Sequence, residues 1–191
     1  MTTKRKFSTY DLVVVGVLAA LIFVCTMFIK IGPIPTPVGA TQIKVANALC
    51  LMGGMLFGGV RGGLAAGIGS MFFDLLNPAF VESAPYTLVF FFLMAFVCGV
   101  VSHLGGRAGK DWRYNLLGAI AGQVAYLILN FGKKILLLVL AGSTFGAAAA
   151  SCAVSFATSC INAVIAVILS VLLAPVLRSA LVRAGFAEKL W

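Results

Sequence analysis

Five polar side chains interrupt the apolar stretch between residues 115 and 140: Gln123, Tyr126, Asn130, Lys133 and Lys134. Ionisable and amide groups inside a lipid-embedded segment are costly, so each is a functional candidate. Gln123, Tyr126, Asn130 and one of the two lysines are spaced three to four apart and share a helical stripe. Lys133 and Lys134 point about 100° apart around a helix, so at most one is expected to aim squarely at a central cavity. The other reading of the pair is snorkelling towards headgroups. A second stripe carries Ser155, Ser159 and Asn162, spaced four and three apart, with Thr158 beside it. Serine hydroxyls in helices can bond their own backbone, whereas a carboxamide needs several partners. Two such stripes could hydrogen-bond a small polar solute. That is the chemistry of capture, and the candidate substrate-binding residues are Gln123, Tyr126, Asn130, Lys133, Lys134, Ser159 and Asn162.

Chemistry that breaks bonds has no comparable footing. The sequence lacks a GxxxxGK[ST] phosphate loop, an HExxH zinc motif and a nucleophile motif. The single histidine, His103, has no evident carboxylate partner. Asp74 is expected near the outer surface, capping its helix or pairing with Lys30 or Lys44, and Glu82 is expected to be solvated. Cys25, Cys50, Cys98, Cys152 and Cys160 all lie in apolar stretches with no CxxC spacing, and read as small buried hydrophobes. No enzyme, metal site or cofactor is expected.

The elements that position these groups follow from composition. Of 191 residues, 62% are hydrophobic and 10% charged, with mean hydropathy +1.11. Soluble domains carry about 25% charged residues, so a water-soluble globule is excluded. The net charge of +9 comes from basic residues scattered between apolar runs, not gathered on one face, which argues against nucleic acid. Six apolar segments can be drawn at 11–30, 45–58, 62–77, 85–104, 115–140 and 147–176, the last closing near Pro175. A span needs about 20 residues. Gly58-Gly59-Val60-Arg61-Gly62-Gly63 reads as a tight hairpin between the second and third. The expectation is an all-α, six-helix membrane domain occupying residues 1–191. Lys4, Arg5 and Lys6 precede the first segment as in a signal peptide, but no small-residue cleavage site follows, so that segment reads as a retained helix.

Basic residues set the expected orientation. Lys4, Arg5, Lys6, Arg61, Arg107, Lys110, Arg113, Arg178, Arg183 and Lys189 fall on one side, and only Lys30 and Lys44 on the other. Both termini are therefore expected in the cytoplasm. Tyr10, Trp112 and Tyr114 would anchor the inner boundary and Tyr86 the outer one. Residues 31–44, with three prolines and two glycines, read as a stiff loop or lid over the polar cavity. Small residues recur at four-residue spacing: Gly16 and Ala20, Gly54 and Gly58, Gly63 and Gly67, Ala65 and Gly69, Gly118 and Gly122. Such faces let helices approach closely. Most read as internal packing; Gly16 and Ala20, on an otherwise apolar helix, read as a docking face for another membrane protein.

The layout, and above all the run Leu56-Phe-Gly-Gly-Val-Arg-Gly-Gly-Leu-Ala-Ala-Gly-Ile-Gly-Ser70 ending in Asp74-Leu75, resembles the substrate-binding S components of energy-coupling factor (ECF) vitamin transporters, closest to the riboflavin-type branch. The resemblance covers residues 8–175. It implies capture of a vitamin or precursor from outside, in a pocket built from helices 4–6 and the outer loops. It also implies docking through helices 1–3 onto a transmembrane coupling protein served by two cytoplasmic ATPases, in a bacterial or archaeal cell membrane. Many relatives carry Asn-x-x-Gln in helix 6, where this chain has Ser159-Cys-Ile-Asn162, and the Lys133-Lys134 pair departs from the family pattern. Basic groups near the pocket favour a carboxylate or phosphate ligand, such as pantothenate, nicotinate or a folate. The rival readings are a self-sufficient small-solute transporter or channel, and a lipid-modifying membrane enzyme, which five scattered acidic residues poorly support.

Overall fold

The computed structural model describes residues 8–185, so Lys4, Arg5, Lys6 and Lys189 lie outside the described residues. Among these, six α-helices are joined by one β-hairpin and short turns: α1 (Thr9–Phe28), β1 (Lys30–Thr36), β2 (Gly39–Lys44), α2 (Ala46–Phe57), α3 (Gly59–Leu75), α4 (Ala84–Ser102), α5 (Trp112–Leu140) and α6 (Phe145–Arg183). Four segments are long and apolar enough to cross a membrane: Thr9–Phe28, Val81–Ser102, Trp112–Leu140 and Phe145–Arg183. α2 has 12 residues and α3 has 17.

Helices α2, α3, α4, α5 and α6 form a closed ring of neighbours, and α1 lies outside it, packed on α3 and more lightly on α2. The core includes Leu51, Met55, Ala65, Ala66, Met94, Ala95, Cys98 and Ala119. α1 buries Val15, Ala19, Ile22 and Thr26 on one face, while Leu12, Val13, Val17, Leu21 and Phe28 stand exposed on the other. Exposed leucine and valine in this density belong against lipid or protein. At its start, Asp11 is held by Arg61 at 3.0 Å and accepts the Ser8 backbone N–H at 2.9 Å.

Three expectations change. The Gly58–Gly63 run is not a loop: only Gly58 forms the turn, at φ 86°, and α3 resumes at Gly59 with Arg61 and both following glycines inside it. A Cβ on Gly62 would strike the backbone of Gly53 and Gly54, and one on Gly99 the backbone of Gly59. The glycines let α2, α3 and α4 touch backbone to backbone, so they face helices and not lipid. Second, α6 does not close at Pro175 but runs through it to Arg183. Proline removes one helical hydrogen bond, and its neighbours are otherwise helix-compatible. At 39 residues α6 is about 58 Å long, which exceeds a hydrocarbon core of about 30 Å. Third, residues 30–44 are not an irregular loop, so the fold is helical with one added antiparallel hairpin. Two of its prolines fall outside the regular ladder, Pro33 at the irregularity between Ile31 and Ile34 and Pro37 in the turn, while Pro35 stands in register with Ala40. Thr36 Oγ1 closes that turn by donating to the Gly39 carbonyl at 2.6 Å.

Gly62→Ala should lower the melting temperature in detergent by several degrees, matching about 1–3 kcal/mol of overpacking. Gly16→Ala, where a Cβ would meet nothing within 4 Å, should leave it unchanged.

Candidate solute-binding site

The hairpin turns one edge of β2 into the bundle. Strand alternation sends Gln42 and Lys44 inward, and both are buried. Asn162 on α6 fastens them: its Oδ1 accepts the Lys44 backbone N–H at 2.9 Å, and its Nδ2 donates to the Gln42 carbonyl at 2.8 Å. The carboxamide thus behaves as one more strand residue, completing a ladder that β2 would otherwise leave open inside the protein.

Between this hairpin and α3–α6 lies a cavity of two adjoining chambers. The deep one, of about 100 Å³, is lined by Gln42, Lys44, Asn47, Asp74, Thr87, Phe91, Tyr126, Asn130, Lys134, Ser159 and Asn162, among others. The wide one, of about 600 Å³, is bordered by Val38, Phe80, Glu82, Tyr86, Lys133, Lys134, Leu137 and Leu138. Ala40, Phe80, Ser83 and Lys134 border both.

The charges are arranged in pairs and over rings. Thr87 donates to Asp74 Oδ2 at 2.5 Å. Lys44 Nζ sits 4.5 Å from the centre of the Phe91 ring, and that ring leans on Tyr126 with centroids 5.0 Å apart. Lys133 Nζ lies 3.5 Å from the centre of the Tyr86 ring. Lys134 Nζ donates to Ser155 Oγ at 3.1 Å, and Ser155 in turn meets Thr36 Oγ1 at 3.4 Å across the seam between hairpin and α6.

Of the seven sequence candidates, Tyr126, Asn130, Lys134, Ser159 and Asn162 come together around the deep chamber, and Lys133 reaches the wide one. Gln123 is buried one turn before Tyr126 but does not line the cavity. Both lysines reach the wide chamber despite their angular separation, because long flexible stems can converge where helical phase alone would part them. Asp74 is neither a cap nor ion-paired with Lys30, whose ammonium stacks on Phe73 at 4.3 Å. Gln42, Lys44, Asn47 and Asp74 went unselected. Asn47, an amide inside an apolar helix, met the same criterion that singled out Asn130 and Asn162. Gln42 and Lys44 could be placed only once residues 39–44 were known to be a strand.

The sequence matches the family model described as ECF-type riboflavin transporter, S component, over residues 6–179. The chain belongs to this family. The S component is the substrate-binding subunit of such a transporter, a multi-pass membrane protein and not an enzyme, and the family implies a riboflavin-type substrate. No curated protein matches the chain. In this S component Gly16 and Ala20 lie on the exposed face of α1, lining a shallow apolar groove with Phe23, Ile68, Gly69 and Phe72.

Asn162→Ala would orphan the Lys44 N–H and the Gln42 carbonyl, at about 1–3 kcal/mol for each buried group. The expected outcome is faster hydrogen exchange at the Lys44 amide with the helical amides of α2 and α4 unchanged.

Proposed function

We propose that this S component spans the bilayer with all six helices, keeps both termini in the cytoplasm, and captures a riboflavin-type vitamin from outside in the two-chambered cavity. The observation that carries this reading is the cavity itself. It lies at the hairpin end of the bundle, away from the termini, and gathers polar groups from α3, α4, α5, α6 and β2. α2 is about 18 Å long at its 12 residues. The inward-folded hairpin supplies the remaining thickness on its side, which is how so short a helix can serve as a span. The distribution of basic residues supports the orientation, with Arg61, Arg107, Lys110, Arg113, Arg178 and Arg183 at the end opposite the hairpin.

Delivery inward is assigned to docking on a transmembrane coupling protein and two cytoplasmic ATPases. The groove holding Gly16 and Ala20, of about 440 Å³, is apolar and shallow, and admits a partner helix at close range. Lys133 and Lys134 favour a second form of the substrate reading, in which the vitamin carries a carboxylate or phosphate at the wide chamber.

Small molecules released from the denatured, purified protein and read by mass spectrometry should contain a stoichiometric flavin. Absence of any vitamin there, together with no binding of riboflavin on titration, would overturn the capture reading. Lys134→Ala should weaken riboflavin by less than about tenfold, the loss of one neutral-acceptor contact, but an anionic vitamin by considerably more; Lys30→Ala should change neither. For docking, Gly16→Leu and Ala20→Leu should abolish co-purification with the coupling protein while preserving solute binding. Intact assembly of both variants would remove α1 as the docking face.

A further inference from the structure

The two chambers differ in chemistry. Gln42 and Asn47 are 6% and 2% exposed, and their amide oxygens, Gln42 Oε1 and Asn47 Oδ1, have no hydrogen-bond partner. Both residues line the deep chamber, one from β2 and the other from α2. An unsatisfied buried acceptor costs about 1–3 kcal/mol, so two beside one small space point to donors that arrive with a ligand. Asp74 stands in the same lining and receives a hydrogen from Thr87. An ionised carboxylate has about four acceptor sites, so it can take more. Against these three acceptors the chamber sets two ammonium groups, Lys44, held over Phe91, and Lys134, which also donates to Ser155.

That balance discriminates between ligand ends. A carboxylate or phosphate would find Lys44 and Lys134 but would also face the lone pairs of two amide oxygens and the Asp74 charge. A hydroxyl can donate to any of the three acceptors and accept from Lys44 at once. Size narrows the choice again. About 100 Å³ equals the liquid volume of roughly three waters. It accommodates a slender chain of hydroxylated carbons and not a fused ring system. The wide chamber, of about 600 Å³, has the room for a planar ring and offers it Phe80, Tyr86, Leu137 and Leu138, beside the charged Glu82, Lys133 and Lys134.

We propose that the deep chamber is a hydrogen-bond-acceptor subsite in which Gln42 Oε1, Asn47 Oδ1 and the Asp74 carboxylate receive hydroxyl hydrogens of an uncharged polyhydroxylated chain, while the ring it carries stays in the wide chamber. This rests on the reading of the cavity as the solute site. It makes Gln42 and Asn47 specificity residues, and it fixes which way round the solute enters.

Riboflavin and lumiflavin share a ring system, and lumiflavin has a methyl group where riboflavin has its polyol chain. The full-length protein is titrated with each, following quenching of flavin fluorescence. Wild type should bind riboflavin at least about tenfold more tightly. Gln42→Met and Asn47→Leu should each weaken riboflavin by about tenfold and leave lumiflavin unchanged. Equal losses for both flavins, or no loss, would overturn the subsite. Should Asn47→Leu fail to elute as a monodisperse species, Gln42→Met, a near-isosteric change on the hairpin, decides alone. Equal affinity of wild type for the two flavins overturns the subsite only. Binding of neither flavin overturns the capture of riboflavin and the subsite with it.

Discussion

One carboxamide holds the site in place. Asn162 donates to the Gln42 carbonyl and accepts from the Lys44 N–H, and in a low-dielectric interior neither backbone group has water as an alternative. With those two bonds made, β2 lies inside the bundle and Gln42 and Lys44 face α3, α4 and α5. Without them the hairpin has a much weaker hold on α6, through the Thr36–Ser155 contact. The cavity has no wall of its own on the β2 side, so its shape is set by how the hairpin is seated.

Around that seat the bundle is close-packed, and α1 stands outside the ring. Glycine contacts bring α2, α3 and α4 to backbone distance around Gly54, Gly59, Gly62 and Gly99. Close-packed surfaces of this kind have few alternative arrangements. α1 is different. It touches mainly α3, exposes a row of apolar side chains on its outer face, and is tied at its start by the Asp11–Arg61 pair. A close-packed frame thus lines the cavity, and a separate apolar helix faces outward from it.

Much of this was legible in the sequence. Hydropathy located all six helices, and the three-and-four spacing of Tyr126, Asn130 and Lys134, and of Ser159 and Asn162, placed five residues around one chamber. What was missed has physical reasons. Proline and glycine in residues 31–44 signal an absence of helix, but they do not separate a loop from a hairpin that tolerates them. With the strand unrecognised, the alternation that turns Gln42 and Lys44 inward could not be applied. Gly58 to Gly63 read as a turn because four glycines and an arginine are poor company for lipid; the use of Gly59, Gly62 and Gly63 in contacts between helices depends on neighbours far away in the chain. Pro175 read as a terminus for the same reason: a local penalty was visible, and the packing that outweighs it was not.

The neighbouring helices α2 and α6 differ greatly in length, 12 residues against 39. At about 58 Å, α6 is longer than a hydrocarbon core of about 30 Å, so it must lean or project from the bilayer. The thickness of the surrounding lipid, which changes with its composition, then acts as a mechanical load on that one helix and sets how far it leans.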